Sequence, residues 1–201
     1  MEAWAIKSNN SKRLGIMGGT FDPIHNGHLV AASEAAEVFN LEKVLFVPSL
    51  ASVDKSNASA ARPEHRYLMS VIATAANPIF IVSRVDLDRG GITYTIDTLQ
   101  DIKKQYPDYE LYFITGADAV SSIESWKNYQ ELFSLAHFVA VTRPDYSIDK
   151  RLIKEYNIQE IKVPAMAISS TDCRQRAKEG KPIWYLVPDG VVQYINKHNV
   201  Y

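Results

Sequence analysis

One cysteine, Cys173, stands in a chain of 201 residues. An intrachain disulfide framework is therefore excluded, and a cysteine-based zinc site has little to build on. Such cysteine usage suits a reducing cytosol, so a cytoplasmic location is expected. No apolar run approaches the roughly 18 residues that mark a membrane span, so no membrane partner is expected. Residues 1–12 are polar, lack a secretory signal pattern and read as a flexible leader. Neither sign of charge is in excess: Lys+Arg total 22 against Asp+Glu 23, for a formal net charge of −1. That balance argues against a nucleic-acid-coating role, although it leaves room for a local basic pocket around a phosphorylated small molecule. Internal repeats and long low-complexity tracts are absent.

Hydrophobic residues make up 46% of the chain and charged residues 22%, the proportions of an ordinary globular protein. The length fits a single domain over 13–201, with a small helical part over about 165–201. Short apolar runs predict six strands, at Leu14–Met17, Val44–Val47, Ile79–Val82, Leu111–Ile114, Phe138–Val141 and Glu160–Val163. Helices are predicted over 27–39, 63–76, 95–105, 118–123, 127–135, 149–156, 170–179 and 188–197, with Pro63 in a first turn where its missing N–H costs little. Apolar strands alternating with helices imply strands buried on both faces. The expected class is α/β with a doubly wound, mostly parallel, Rossmann-like sheet. Ligands of such sheets bind beyond the carboxyl ends of the strands. That rule points to Gly18, Pro48, Gly116 and Thr142 onward. Leu50–Ala61, small and polar with no internal proline, reads as a mobile loop.

The segment with the most chemistry follows the first strand. Gly18 and Gly19 have no side chain, so a phosphate or ribose can approach the backbone closely. A helix starts near Asn26–His28. Its first N–H groups are expected to be unpaired and its positive dipole end faces the turn, which makes an anion site. His25 and His28 are three apart at that start and can face one point. Two imidazoles beside an anion site suit a reaction that builds negative charge on phosphate oxygens. Gly27 between them leaves room for a triphosphate. Read alone, the pair also has two other readings, metal ligands or helix-capping polar residues. Late in the chain Ser169-Ser170-Thr171 clusters hydroxyls at a second helix start, able to cap it and to bind phosphate. Arg174 lies one turn further on, where its guanidinium can take two phosphate oxygens. The plain alternative is an N-cap and a surface arginine.

Taken together, Gly18–His28 resembles the signature of the nucleotidyltransferase superfamily with a His-x-Gly-His core, here His25-Asn26-Gly27-His28. Ser169-Ser170-Thr171-Asp172-Cys173-Arg174 resembles its Ser-Ser-Thr-x-x-Arg motif. Gly91–Leu99, Phe113–Asp118, Trp126 and Arg143-Pro144 are similar to bacterial nicotinate-nucleotide adenylyltransferases, and the resemblance runs over roughly 13–198. It implies a nucleotidyltransferase fold. It also implies AMP transfer from ATP to nicotinate mononucleotide, giving deamido-NAD and pyrophosphate, with Mg²⁺. Carried over residue by residue, it assigns His25, His28 and Arg174 to catalysis. Gly18, Gly19, Thr20, Phe21, Gly27, Gly116, Asp118, Arg143, Ser169, Ser170 and Thr171 go to ATP. Lys55, Thr93, Tyr94, Thr95 and Trp126 go to the acceptor, whose pyridine ring can stack on an aromatic face. No protein metal site is expected, since acidic ligands are not obvious and Mg²⁺ can ride on ATP and waters. One departure stands out. The family commonly has a Pro-rich stretch ending in Lys after the second strand; here Leu50–Lys55 keeps Lys55 without the prolines, and Asp54 adjoins it.

The implied mechanism is direct in-line attack by the acceptor phosphate on the α-phosphorus of ATP, with no protein nucleophile. Sister pantetheine-phosphate or cytidylyl transferases would share His-x-Gly-His but lack the Thr93–Leu99 segment with Trp126. A non-catalytic nucleotide-binding regulator is a rival of another class, opposed by the intact histidine pair and Arg174. A scaffold has no positive support, and an oligomer is left open.

Overall fold

The computed structural model describes residues 11–51, 60–142, 148–164 and 167–201. Among these residues six strands form one sheet: β1 (Lys12–Gly19), β2 (Lys43–Pro48), β3 (Phe80–Val82), β4 (Tyr109–Gly116), β5 (His137–Thr142) and β6 (Gln159–Lys162). Their order is β3-β2-β1-β4-β5-β6, and every neighbouring pair is parallel. The expectation of a mostly parallel sheet is met by a wholly parallel one. Each predicted strand is present. β1 starts at Lys12, paired with Tyr109, so the last residue expected in the leader is already sheet; residues 1–10 lie outside the described residues.

Side-chain alternation sorts the core into two layers. Leu14, Ile16, Leu45, Val47, Leu111, Phe113 and Phe138 bury on one face. There they meet α4 (Thr95–Gln105), α5 (Ala117–Val120), α6 (Tyr129–Leu135) and α7 (Lys150–Tyr156). Met17, Val44, Phe46, Tyr112, Ile114 and Val139 bury on the other. That face is covered by α1 (Asn26–Phe39), α2 (Pro63–Thr74), α8 (Ser170–Lys178) and α9 (Asp189–His198). α1 approaches through Ala31, Ala32, Ala35 and Ala36, side chains small enough to bring a helix close. Gly15 serves the same packing: a Cβ there would lie 2.8 Å from Leu41 Cδ1. α1, α7 and α9 each end on an asparagine in the left-handed conformation, Asn40, Asn157 and Asn199, a common helix stop.

Two local expectations are corrected. A short helix, α3 (Val85–Arg89), was not foreseen. Five residues are too few to show apolar periodicity, and it is held by its buried Asp86, which accepts from Thr98 Oγ1 at 2.7 Å and Arg89 NH2 at 2.6 Å. Burial pushes the Asp86 carboxyl up, while Thr98 and Arg89 pull it down. The helix predicted over 118–123 is instead α5 followed by a separate 3₁₀ turn at Ile123–Ser125.

The topology fixes where ligands enter. The chain winds outward through β2 and β3 on one side of β1, then returns to the other side with β4. The β1/β4 junction is thus the switch point, where neighbouring connections leave in opposite directions and open a crevice at the carboxyl ends.

Candidate active site

A cavity of about 460 Å³ lies at that junction. Its wall includes Met17 and Gly18 from β1, His25, Gly27, His28 and Ala31 from the start of α1, and Ile114–Gly116 from β4. Ala117 and Asp118 of α5 and Ile168–Ser170 at the start of α8 close it, with Val141, Val163 and Pro164. Eight residues expected from sequence thus meet around one space: Gly18, His25, Gly27, His28, Gly116, Asp118, Ser169 and Ser170.

The two imidazoles form the best-defined part of the wall. Their rings stack with centroids 3.6 Å apart and planes 22° apart. His25 is the N-cap residue of α1, in extended backbone. Its N–H donates to His28 Nδ1 at 3.2 Å. Nδ1 is therefore an acceptor, and the ring proton of His28 sits on Nε2. Phe21 puts its ring against the edge of His28 at 5.1 Å. It adopts a left-handed φ of 50°, unusual for a bulky residue, and its side chain is buried. Gly27 fits because a Cβ there would lie 3.1 Å from the His25 ring, and a Cβ on Gly19 would lie 3.2 Å from the Phe21 ring. At Gly116 a Cβ would collide with the Asp118 carboxylate. These glycines let ring and carboxylate groups lie against backbone.

The start of α1 is not the open anion cradle the sequence suggests. Asn26 N–H donates to Leu186 O at 2.9 Å and His28 N–H to His25 O at 2.9 Å. The Asn26 side chain also donates to Tyr185 O at 2.6 Å. A segment just before α9 therefore caps the helix, a long-range contact invisible to local sequence reading. What α1 offers the cavity is its dipole and the two imidazoles.

Opposite, Ser169 caps α8 by accepting Asp172 N–H at 3.1 Å. The Ser170 hydroxyl donates to Pro23 O at 2.9 Å, joining the α8 start to the β1–α1 turn. Arg174 donates through NH1 to Asp22 O at 2.7 Å and through NH2 to Thr171 Oγ1 at 3.2 Å. Arg174, Thr171, Gly19, Thr20 and Phe21 therefore stand behind or beside the wall. Arg143 and Lys55 lie outside the described residues, as does most of the predicted loop after β2.

Of the described residues expected at the acceptor, Trp126 follows β4, while Thr93, Tyr94 and Thr95 lead into α4. Trp126 meets Phe113 edge-on at 6.3 Å, and the Phe113 ring lies 3.5 Å from where a Gly18 Cβ would be. One buried phenylalanine thus lies between Trp126 and Gly18. Thr93 N–H donates to Ala51 O at 3.0 Å, and Thr93 Oγ1 accepts Leu50 N–H at 3.0 Å. That threonine ties two loops together and has spent its backbone donor. Thr95 opens α4. Lys127, absent from the sequence reading, stands 4.4 Å from the Tyr94 ring centroid and pairs with Asp97 at 3.1 Å. Its position next to Trp126 was the available signal. Arg66, 0% exposed, is a second omission; its signal was a lone cation one turn before Met69 on the apolar face of α2.

Among the described residues no group of three or more His, Cys, Asp or Glu could hold a metal ion, and no helix is long and apolar enough to cross a membrane. The Cys173 thiol is buried and its pKa pushed up to about 11, first by burial and then by Asp172. Such a thiol is inert.

The cytidylyltransferase-like family profile matches residues 16–176, a span that holds both histidines, the cavity and Arg174. The chain belongs to this class of nucleotidyltransferases. A Corynebacterium glutamicum protein named "Probable nicotinate-nucleotide adenylyltransferase" is 61% identical over 94% of this chain and 88% of its own. A Clavibacter michiganensis protein of the same name is 60% identical over 94% of each chain. Within the class, the chain belongs to the nicotinate-nucleotide adenylyltransferase family. The fold is also that of Plasmodium falciparum nicotinic acid mononucleotide adenylyltransferase complexed with NaAD, at a TM-score of 0.78 and 24% identity, covering 94% of this chain and 97% of that one. Nucleotidyltransferases of this kind generally use a divalent metal with ATP.

Proposed function

We propose that this chain transfers AMP from ATP to nicotinate mononucleotide, with His25 and His28 at the α-phosphate. The observation that carries this reading is the stacked imidazole pair on the wall of the switch-point cavity, facing the start of α8. In the reaction, an oxygen of the acceptor phosphate forms a bond to the α-phosphorus as the bond from α-phosphorus to the β-bridging oxygen breaks. Pyrophosphate carries off the electron pair. No side chain is a nucleophile, so positioning and charge stabilisation supply the acceleration. His28 donates from Nε2, the tautomer set by the His25 N–H. Two helix starts, of α1 and α8, point their positive ends at the triphosphate. Arg174 neutralises the β- and γ-phosphates from beside the wall, and Asp118 takes ribose hydroxyls.

Among the described residues no cluster of His, Cys, Asp or Glu builds a resident metal cage. Mg²⁺ fits as a companion of ATP that offsets phosphate charge, and the roles of the side chains above do not depend on its placement. Thr95, Tyr94, Trp126 and Lys55 hold the acceptor. With ATP as donor and one buried thiol, the reading carries a cytoplasmic location.

A coupled pyrophosphate assay with ATP and a panel of phosphorylated acceptors tests the proposal. Nicotinate mononucleotide should give the highest kcat/KM. Faster turnover of phosphopantetheine, or of a sugar or alcohol phosphate with CTP, would reassign the chain within the class. No turnover with any acceptor would favour a non-catalytic nucleotide binder.

A further inference from the structure

Asp22 lies in the β1–α1 turn, three residues before His25, and is 2% exposed. Its carboxylate accepts from three donors. Oδ2 accepts Ala60 N–H at 2.7 Å, and Oδ1 accepts Ala61 N–H at 3.2 Å and the Tyr201 hydroxyl at 2.7 Å. The backbone carbonyl of the same residue receives Arg174 NH1 at 2.7 Å. Arg66 braces the surroundings by donating to Thr20 O at 2.7 Å, Ser49 O at 2.6 Å, Leu50 O at 3.0 Å and Ala61 O at 3.3 Å. Tyr201 follows α9, and its ring packs against the core on the α1 side of the sheet. Burial and then the Asp22 carboxylate hold its phenol well above the usual range, so it stays a donor. Asp22 and Tyr201 are not part of the cavity wall.

We infer that Tyr201 is a positioning residue for the transfer: through the Asp22 carboxylate it fixes the turn carbonyl that aims the Arg174 guanidinium. The inference rests on the role proposed above for Arg174. Direction, rather than binding alone, is what the Arg174 guanidinium needs. A guanidinium holds a phosphate well only when its planar fork is oriented. Here one arm of that fork is set by the Thr171 hydroxyl and the other by the Asp22 carbonyl. A peptide carbonyl turns when the residue that bears it is free to rotate. Three hydrogen bonds to its side chain stop that rotation, and the one from Tyr201 is the contact that comes from a side chain rather than backbone. A displacement of about 1 Å at a reacting centre can cost roughly 10²-fold, so a partial loss of this restraint should be readable in kcat.

Tyr201→Phe removes the hydroxyl and keeps the ring. With ATP and nicotinate mononucleotide in the pyrophosphate assay, kcat should fall roughly 10-fold while KM for ATP changes less than about 2-fold, the pattern of an interaction realised in the transition state. The loss should shrink to under about 3-fold in an Arg174→Ala background, because residues that act through one another are non-additive. An equal loss in both backgrounds, or full kcat with only a lower melting temperature, overturns the inference and leaves the proposed function standing. A normal rate for Arg174→Ala also overturns it, since the residue acted upon would then be idle. A parent enzyme without turnover brings down both the function and this inference. If Tyr201→Phe folds poorly, Asp22→Asn supplies the second variant: it weakens the same acceptor and should show the same dependence on Arg174.

Discussion

Replacing His28 by alanine has three consequences besides the loss of the Phe21 ring contact at 5.1 Å. The ring donor at Nε2 goes, the His25 N–H loses an acceptor it now holds at 3.2 Å, and the His25 ring loses a stacking partner at 3.6 Å. The first loss bears on rate. Removing one preorganised donor to a developing oxyanion costs about 10²–10³ in kcat, or roughly 2.7–4 kcal/mol. The second and third bear on stability. A hydrogen bond lost from a half-buried N–H costs about 1 kcal/mol, and for a chain of this size each such unit lowers Tm by roughly 2–4 °C. His28→Ala should therefore lose at least 100-fold in kcat, measured as pyrophosphate release at saturating ATP, with only a few degrees lost in a thermal melt. His28→Asn separates the contributions. Its carbonyl oxygen can replace Nδ1 as acceptor for the His25 N–H, while its amide is too short to reach where Nε2 reaches. Stability should recover and kcat should not. Near-normal turnover of His28→Ala would refute the assignment of that residue, and recovery of rate in His28→Asn would shift its role from phosphate donor to helix cap.

Nicotinate mononucleotide should exceed nicotinamide mononucleotide in kcat/KM, because donors near Thr95 and at the turn around Trp126 would favour an anion over a neutral carboxamide; equal values would sink that selectivity argument without touching nucleotidyl transfer. Lys55→Ala should raise the apparent KM for a phosphorylated substrate more than it lowers kcat, since a phosphate contact would be present in ground and transition states alike; kinetics indistinguishable from the parent would make Lys55 an ordinary solvated side chain. Hydrogen bonds from Arg151 and then Tyr156 hold exposed Glu124 at about 2, below its ordinary 4.5. A depressed folded-state pKa stabilises above the ordinary value and the effect is lost as pH falls through the window between the two. The melting gap between the parent and Glu124→Gln should accordingly be largest near neutrality and close progressively below about pH 4.5; a gap independent of pH would show that the pair contributes nothing through titration.

Much of the architecture was readable because its causes are local. Val44–Val47 and Phe138–Val141 are short, continuous apolar runs rich in β-branched and aromatic residues, the pattern of strands buried on both faces. Pro63 and the hydroxyl cluster at Ser169–Thr171 mark helix starts by chemistry that acts within a turn. The short helix at Val85–Arg89 escaped because its stability comes from Asp86 reaching Thr98 in another helix. The break after Val120 escaped because Ile123 is buried in the same layer whether or not the helix continues.

The candidate site divides along the same line. His25, His28 and Gly27 were legible from the chain alone, since their spacing at a helix start brings them together whatever surrounds them. So was the place of the site, because strand order follows from alternating elements and right-handed crossovers. Whether the first N–H groups of that helix would be open to phosphate was not. Leu186 and Tyr185 come from more than 150 residues away to accept from Asn26, and no local pattern announces such a partner. Nor could the chain alone say that Asp22 would be held by Ala60, Ala61 and Tyr201 while its carbonyl receives Arg174. Periodicity and capping are set by neighbours in sequence. The direction of a guanidinium or an imidazole proton is set by whichever acceptors the packed fold brings within about 3 Å.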